Sequence, residues 1–359
     1  MVAGECWPAV KKPSTSLILS PASRTAFLAA SRCSVSMLLC GRVPSSSLSS
    51  TPTMQTELRS SFIIMVGHAL VALHHGLCDV ALVCHGESGR SGVGVTPRRD
   101  TALPGQYEAP FGFGGASTLF GMITTRHMHE HGTTLEQWAQ VAVSTRQWAA
   151  LNPKARNREP ITIADVLNSR PVCYPFNLLN ICLVTDAGGA VVLTRADRAK
   201  DCAKKPVYVH GAGEATEHVM LTQMKNLTFS EATRMSGAKA FTMAGVTHKD
   251  FNHLMFYDAF TSGPPIMLES LGFCKPGEGV HFFDNGKSTP GGLLPINTNG
   301  GGLSYTHSGM YGIFPIIEAA RQLRGECGPR QVPNCKVSLV NGMGGMLSAA
   351  GTLVLANER

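Results

Sequence analysis

Between Pro206 and Leu355 short apolar runs alternate with amphipathic stretches, and this alternation restricts what the chain can fold into more than any other feature. "PVYVHGAG" reads as a strand, "SEATRMSGAKAFTMAG" as a helix, "HLMFY" as a strand and "PPIMLESLGF" as a helix. A helical pattern over 308–325 and the strands "KVSLV" and "GTLVL" complete the series. Such alternation implies an α/β fold whose parallel or mixed sheets are covered by helices. Ligands in these folds lie beyond the carboxyl ends of strands, where the chain turns through glycine-rich loops. "YDAF" at 257–260, "NTNGGG" at 297–302 and "NGMGGM" at 341–346 occupy positions of that kind.

The preceding chain, residues 57–205, reads as a first half of similar construction. Ser60 or Ser61 can cap a helix whose apolar positions Phe62, Val66, Ala69 and Leu73 keep helical spacing; Gly76 stops it, and "DVALVC" reads as a buried strand. Residues 97–135 are rich in Gly and Pro and read as an excursion from the core, within a loop region extending to about residue 175. A capping box, Thr133 with Glu136 or Thr134 with Gln137, opens a helix through Trp148, and "AVVLTRA" at 190–196 is strand-like.

Residues 1–56 differ in kind. Ser, Thr, Pro and Arg are frequent there, and five Lys or Arg stand against the single acid Glu5. That composition suits a disordered leader or a transit peptide, mitochondrial import included. The remaining chain carries 26 basic and 23 acidic residues with no basic run interleaved with aromatics, which argues against a nucleic-acid partner. Eleven cysteines without a CxxC point to reduced thiols in an intracellular protein. No stretch reaches the roughly 18 uninterrupted apolar residues of a membrane span, so the sequence reads as soluble. The ending "NER" is not a peroxisomal signal of the Ser-Lys-Leu type.

Taken in order, "HLMFYDAF", "LESLGFC", "GGLLPINTNGGGLSYTHSGMYG", "EAARQLRG" and "NGMGGM" resemble the carboxyl half of the thiolase superfamily, in its sterol-carrier-protein-X-like, lipid-transfer branch. "SSFIIMVGHALVALHHGLCDVALVCHGESGRSG" resembles the helix and strand that follow the family's nucleophile loop. The resemblance covers about residues 57–357 and implies two βαβ-type halves packed face to face, an acyl-CoA substrate with coenzyme A as part of it, no separately bound cofactor, and a homodimer. The family's first strands have no counterpart, which leaves the amino half incomplete; residues 206–359 form the carboxyl half.

The resemblance also implies roles. The nucleophilic cysteine of a thiolase falls at Ser60, a residue that reads more readily as a helix cap than as a nucleophile. The second cysteine of the glycine loop is missing from "VNGMGGM", where Asn341 stands with Gly344 and Gly345, and a His-Asp-Cys-Phe variant is replaced by Tyr257-Asp258-Ala259-Phe260. His307 matches the histidine of the Gly-His-Pro loop, an oxyanion donor flanked by Asn299, Gly300 and Gly301. Tyr257 and Tyr305 offer phenols for proton transfer, or they fill the pocket. Some members of this branch are retro-aldol lyases that need no cysteine and work beside a small OB-fold partner. A thiolase-like activity shifted toward carbon–carbon cleavage is thus the favoured expectation, and a non-catalytic acyl-CoA or lipid-binding module is the alternative.

Other motifs carry less. In "HMHEH" at 127–131 only His127 and His131 share a helix face and no third ligand is near, so the stretch reads as a solvated loop and no metal site is expected. "HGESGRSG" lacks the GxSxG spacing of a hydrolase elbow. Arg90, Arg98 and Arg99 are candidates for CoA phosphates or are plain surface charges.

Overall fold

The computed structural model describes residues 15–18, 35–40, 61–92 and 103–359. Its strands are β1 (Thr15–Ile18), β2 (Val35–Cys40), β3 (Val80–Ser88), β4 (Pro171–Cys173), β5 (Phe176–Asn177), β6 (Asp186–Arg195), β7 (Val207–Thr216), β8 (His253–Phe256), β9 (Val337–Gly344) and β10 (Ala349–Ala356). The main helices are α1 (Ser61–His74), α2 (Ala116–His131), α3 (Leu135–Ala150), α4 (Glu231–Ala244), α5 (Gly263–Ser270) and α6 (Ile313–Arg324). All the strands but the β4–β5 hairpin join one sheet, in the order β2-β3-β6-β1-β7-β10-β9-β8. The β8–β9 pair is parallel and the others are antiparallel, so the sheet is mixed as expected.

Two helices tie the halves together. Helix α1 packs on β3 and β6 of the amino half and on β7 and β10 of the carboxyl half, while α6 touches β6 as well as β8 and β9. The reason lies in their apolar faces: Phe62, Ile63, Met65, Val66, Ala69 and Leu73 are buried along α1. On β7, "GAG" lets α4 settle against the strand: a Cβ at Gly211 or Gly213 would come within 2.1 and 2.0 Å of the carbonyl oxygens of Ala240 and Ser236.

Several expectations change on contact with the structure. The span 1–56 is not wholly outside the fold, because its apolar runs "TSLI" and "VSMLLC" pair as β1 with β6 and β7 and as β2 with β3. The rest of that leader, Ser60, Arg98 and Arg99 lie outside the described residues. The expected excursion is largely helical between residues 103 and 167; its glycines mark helix ends, as Gly115 and Gly132 do with φ of 96° and 69°. Of the two capping boxes considered, Thr134 with Gln137 forms, with reciprocal bonds of 3.3 and 3.0 Å. The helix expected over 308–325 begins only at Ile313, since Gly309 adopts φ 101° and the Tyr311 hydroxyl donates to Asn299 Oδ1 at 2.7 Å.

Candidate active site

Strand β8 ends at Phe256 and delivers Tyr257 and Asp258 into the interior, where they are 2% and 0% exposed. The Tyr257 hydroxyl lies 3.0 Å from His307 Nε2, with the two rings edge to face. His307 is 8% exposed and sits after a single π-helical turn, Gly301–Tyr305. A strap over residues 181–185 fixes this loop from the side: Leu183 N–H donates to the Gly302 carbonyl and Cys182 N–H to that of Ala259. Thr185 Oγ1 accepts the His307 N–H at 3.0 Å and meets Thr306 Oγ1 at 2.7 Å.

The glycine loop has a structural task. Gly300 N–H donates to the Asn297 carbonyl, Gly301 N–H to Asn299 Oδ1 at 2.8 Å, and Gly302 N–H to Asp258 Oδ1 at 2.6 Å. These three donors are therefore engaged within the protein. A Cβ at Gly301, where φ is +64°, would fall 1.9 Å from Asp258 Oδ2, so this glycine lets the carboxylate lie against the backbone. Burial raises Asp258 to about 7, with the amide donors and Asn297 pulling the other way. Beneath the loop, Thr298 Oγ1 stands 3.0 Å from His253 Nε2 and donates to Glu318 Oε1 at 2.9 Å, and Arg330 grips both Glu318 oxygens at 3.0 Å. Burial alone would raise Glu318, but Arg330 holds it below its ordinary value, while burial takes His253 down to about 4.

Tyr257, Asp258, Asn299, Gly300, Gly301 and His307 thus come together, as the sequence suggested. Asn341 is near through its backbone, accepting the Tyr257 N–H, but its side chain belongs to the sheet: Nδ2 donates to Thr352 Oγ1 and the Gly351 carbonyl. Gly344 closes β9, and Gly345, with φ 51°, starts the turn into β10. Tyr305 points elsewhere, stacking edge-on against Phe314 and lining a cavity of about 610 Å³ with Thr185, Thr306 and Arg90. Burial raises its hydroxyl.

Three neighbours escaped the sequence reading. Thr185 carries no motif, although a polar residue just before a strand was there to be seen. Tyr311 lies inside the quoted "THSGMYG", and its ring packs edge-on to Tyr257 with its hydroxyl pushed well above 10 by burial and by Asp258. His85, noticed only as part of "HGESG", stands 2.9 Å from Ser308 Oγ and packs on Phe62 of α1. The "HMHEH" stretch is no solvated loop: it ends α2, and His127 is wholly buried with Nε2 3.1 Å from Glu269 Oε2. The described residues contain no cluster of three metal-ligating side chains.

A mixed sheet whose strand ends present a glycine loop, a buried histidine and a facing strand-end residue defines a thiolase-like architecture, and comparison with known proteins agrees. Residues 213–357 match the family described as Thiolase C-terminal domain-like. A 17-hydroxy-3-oxo-4-pregnene-20-carboxyl-CoA lyase of Mycobacterium tuberculosis is 35% identical over 300 residues, which is 80% of this chain and 75% of that protein. An acetyl-CoA acetyltransferase of Methanothermobacter thermautotrophicus is 34% identical over 77% of this chain and 72% of its own length. The structure of an Ltp2-ChsH2(DUF35) aldolase superposes with a TM-score of 0.76 at 30% identity, covering 83% of this chain and 77% of that one. The chain belongs to the thiolase superfamily, in its sterol-carrier-protein-like, lipid-transfer branch. Among the described residues, no helix is long and apolar enough to cross a membrane.

Proposed function

We propose that this chain cleaves a carbon–carbon bond of a β-hydroxyacyl-CoA by a retro-aldol step. The supporting observation is the buried Tyr257–His307 pair, with the phenol oxygen 3.0 Å from Nε2. Tyr257 takes the β-hydroxyl proton as its own passes to His307. The O–H electron pair becomes the new carbonyl, the Cα–Cβ bond breaks, and its electrons move onto the thioester as an enolate. The imidazolium stabilises that charge electrostatically, because its Nε2 is engaged by Tyr257 rather than aimed at the thioester oxygen. Return of the proton through Tyr257 to Cα gives a shortened acyl-CoA and a ketone or aldehyde.

This route forms no acyl-enzyme, in keeping with the absence of a cysteine from 257–260 and 341–346. Names among the relatives favour it too, since a pregnene-carboxyl-CoA lyase and a steroid side-chain-cleaving aldolase are both about one-third identical to this chain. We take the working unit to be a homodimer joined by a small OB-fold partner; the two-part name of the similar Ltp2-ChsH2(DUF35) aldolase supports a second component. The test is turnover of a β-hydroxyacyl-CoA by the chain with such a partner. Ser60→Ala should retain most activity. Thiolysis that depends on CoA and vanishes in Ser60→Ala would replace the proposal with a serine-based acyl transfer. Acyl-CoA binding without turnover of either substrate would leave a non-catalytic binding module.

A further inference from the structure

Strand β3 and the residue just beyond it meet the turn after His307 with three alternate positions, His85, Glu87 and Gly89. His85 Nε2 is 2.9 Å from Ser308 Oγ. The Glu87 carboxylate lies against Gly309 and leaves no room there for a Cβ, and a Cβ at Gly89 would stand 3.3 Å from the Ser308 carbonyl carbon. The amino half thus grips residues 308 and 309 of a loop that belongs to the carboxyl half.

The His85–Ser308 bond is the telling contact. Both residues are sealed from solvent, at 3% and 0% exposure, and the imidazole packs on Phe62 and Phe314 with ring centroids 4.9 and 6.1 Å away. A polar ring in such apolar company is costly unless it is hydrogen-bonded. Ser308 is also the last side chain before Gly309, whose φ of 101° and missing Cβ make it a pivot. Thr185 holds His307 through its backbone: Oγ1 accepts the His307 N–H at 3.0 Å, and the Thr185 N–H donates to the His307 carbonyl at 3.1 Å. The Ser308 hydroxyl adds a side-chain anchor at the next residue. In the Gly-His-Pro loop that this stretch resembles, proline stands at that place and has no side-chain oxygen to offer an imidazole.

We infer that His85 is a positioning residue for His307: bonded to Ser308, it holds the 308–309 turn so that the His307 imidazole stays 3.0 Å from the Tyr257 hydroxyl. The inference rests on the retro-aldol reading above, in which that imidazole takes the phenol proton. Such placement matters, because an error of about 1 Å can cost on the order of 100-fold in rate. His85 takes no part in the proton transfer itself.

Two measurements on the full chain test this. One is turnover of a β-hydroxyacyl-CoA with the OB-fold partner; the other, independent of turnover, is the Nε2 resonance of His307 in protein carrying nitrogen-labelled histidine, identified by its loss in His307→Asn. His85→Phe keeps a ring against Phe62 and Phe314 and removes the bond. It should lower kcat about 10-fold with KM unchanged and shift the His307 resonance. Ser308→Ala, the milder change, should do the same and serves alone if the first variant does not fold. The double variant should be no slower than either single one, since all three lack the same bond. His85→Gln, whose amide can reach Ser308, should recover most of the rate and the resonance position. A His307 resonance unmoved in Ser308→Ala overturns the positioning role, as does an unchanged rate per folded molecule, or losses that add in the double variant. A shifted resonance in a chain without lyase activity sustains the positioning role while sinking the retro-aldol step. An unmoved resonance alongside undiminished turnover does the reverse.

Discussion

His127 and His307 are both nearly sealed from solvent, at 0% and 8% exposure, and both pack against aromatic rings. Their partners set them apart. His127 is held at both nitrogens, by Thr133 Oγ1 at 3.0 Å and by Glu269, whose Oε1 also accepts the Gly279 N–H. That arrangement pins the end of α2 to α5 and has no cavity beside it among those described. His307 instead faces a phenol, in a loop whose flanking threonines border a cavity. A carboxylate partner fixes an imidazole in place; a phenol partner can exchange a proton with it. Burial by itself therefore marks neither a site nor a structural post.

The comparison yields its largest effect at the phenol. Tyr257→Phe should lower turnover by roughly 10²–10⁴-fold with little change in melting temperature, whereas a loss under threefold would make His307 as structural as His127. The converse holds across the molecule: Glu269→Ala, which strands His127 and the Gly279 N–H, should cost about 3–5 kcal/mol in urea unfolding and leave the rate per folded molecule intact. A cost below 1 kcal/mol would mean that water replaces the carboxylate readily.

Asp258 sharpens the contrast through pH. Its folded pKa of about 7 lies above its ordinary 3.8, so the native state holds a proton that the unfolded chain releases. Stability from this group is full below about 4 and is lost as pH rises toward 7. The gap corresponds to about 4 kcal/mol at pH 8. Asp258→Asn keeps an acceptor for Gly302 N–H, so it should flatten the stability profile between pH 4 and 7 and raise stability at pH 8. A variant as steeply pH-dependent as the parent would show that another group titrates. The smallest effect belongs to Thr134→Ala, which removes the capping box of α3 and should cost about 1 kcal/mol, against no measurable change in turnover.

The carboxyl half was readable because its strands and helices are local patterns. "HLMFY" placed Tyr257 at a strand end, and "NTNGGG" placed the loop that carries His307. What stayed hidden depends on partners far along the chain. Thr185 acquires its role only by meeting His307, 122 residues away, and His127 is buried only because Glu269 comes from 142 residues on. A periodicity argument sees one face of α2 and cannot know what will cover it. The strands at 15–18 and 35–40 were missed for the same reason: short apolar runs in a Ser-rich stretch gain meaning only from edges supplied by β6, β7 and β3. In 308–312 the apolar rhythm suggested helix, yet the tie from Tyr311 to Asn299 decided otherwise.

With the amides of residues 300–302 all bound inside the protein, one wall of the site has little freedom to rearrange, and hydrogen exchange there should be among the slowest in the chain. The adjoining segment 154–158 is tied to that loop, Arg156 N–H donating to the Tyr305 carbonyl and Asn157 N–H to that of Ser304, and it turns the side chains of Lys154, Arg156 and Arg158 outward. Tolerance for different acyl groups would therefore come from exchange of these outward side chains on a backbone that stays put, not from movement of the loop. Variants selected for new substrates should accumulate between residues 152 and 159 and leave the glycine loop untouched.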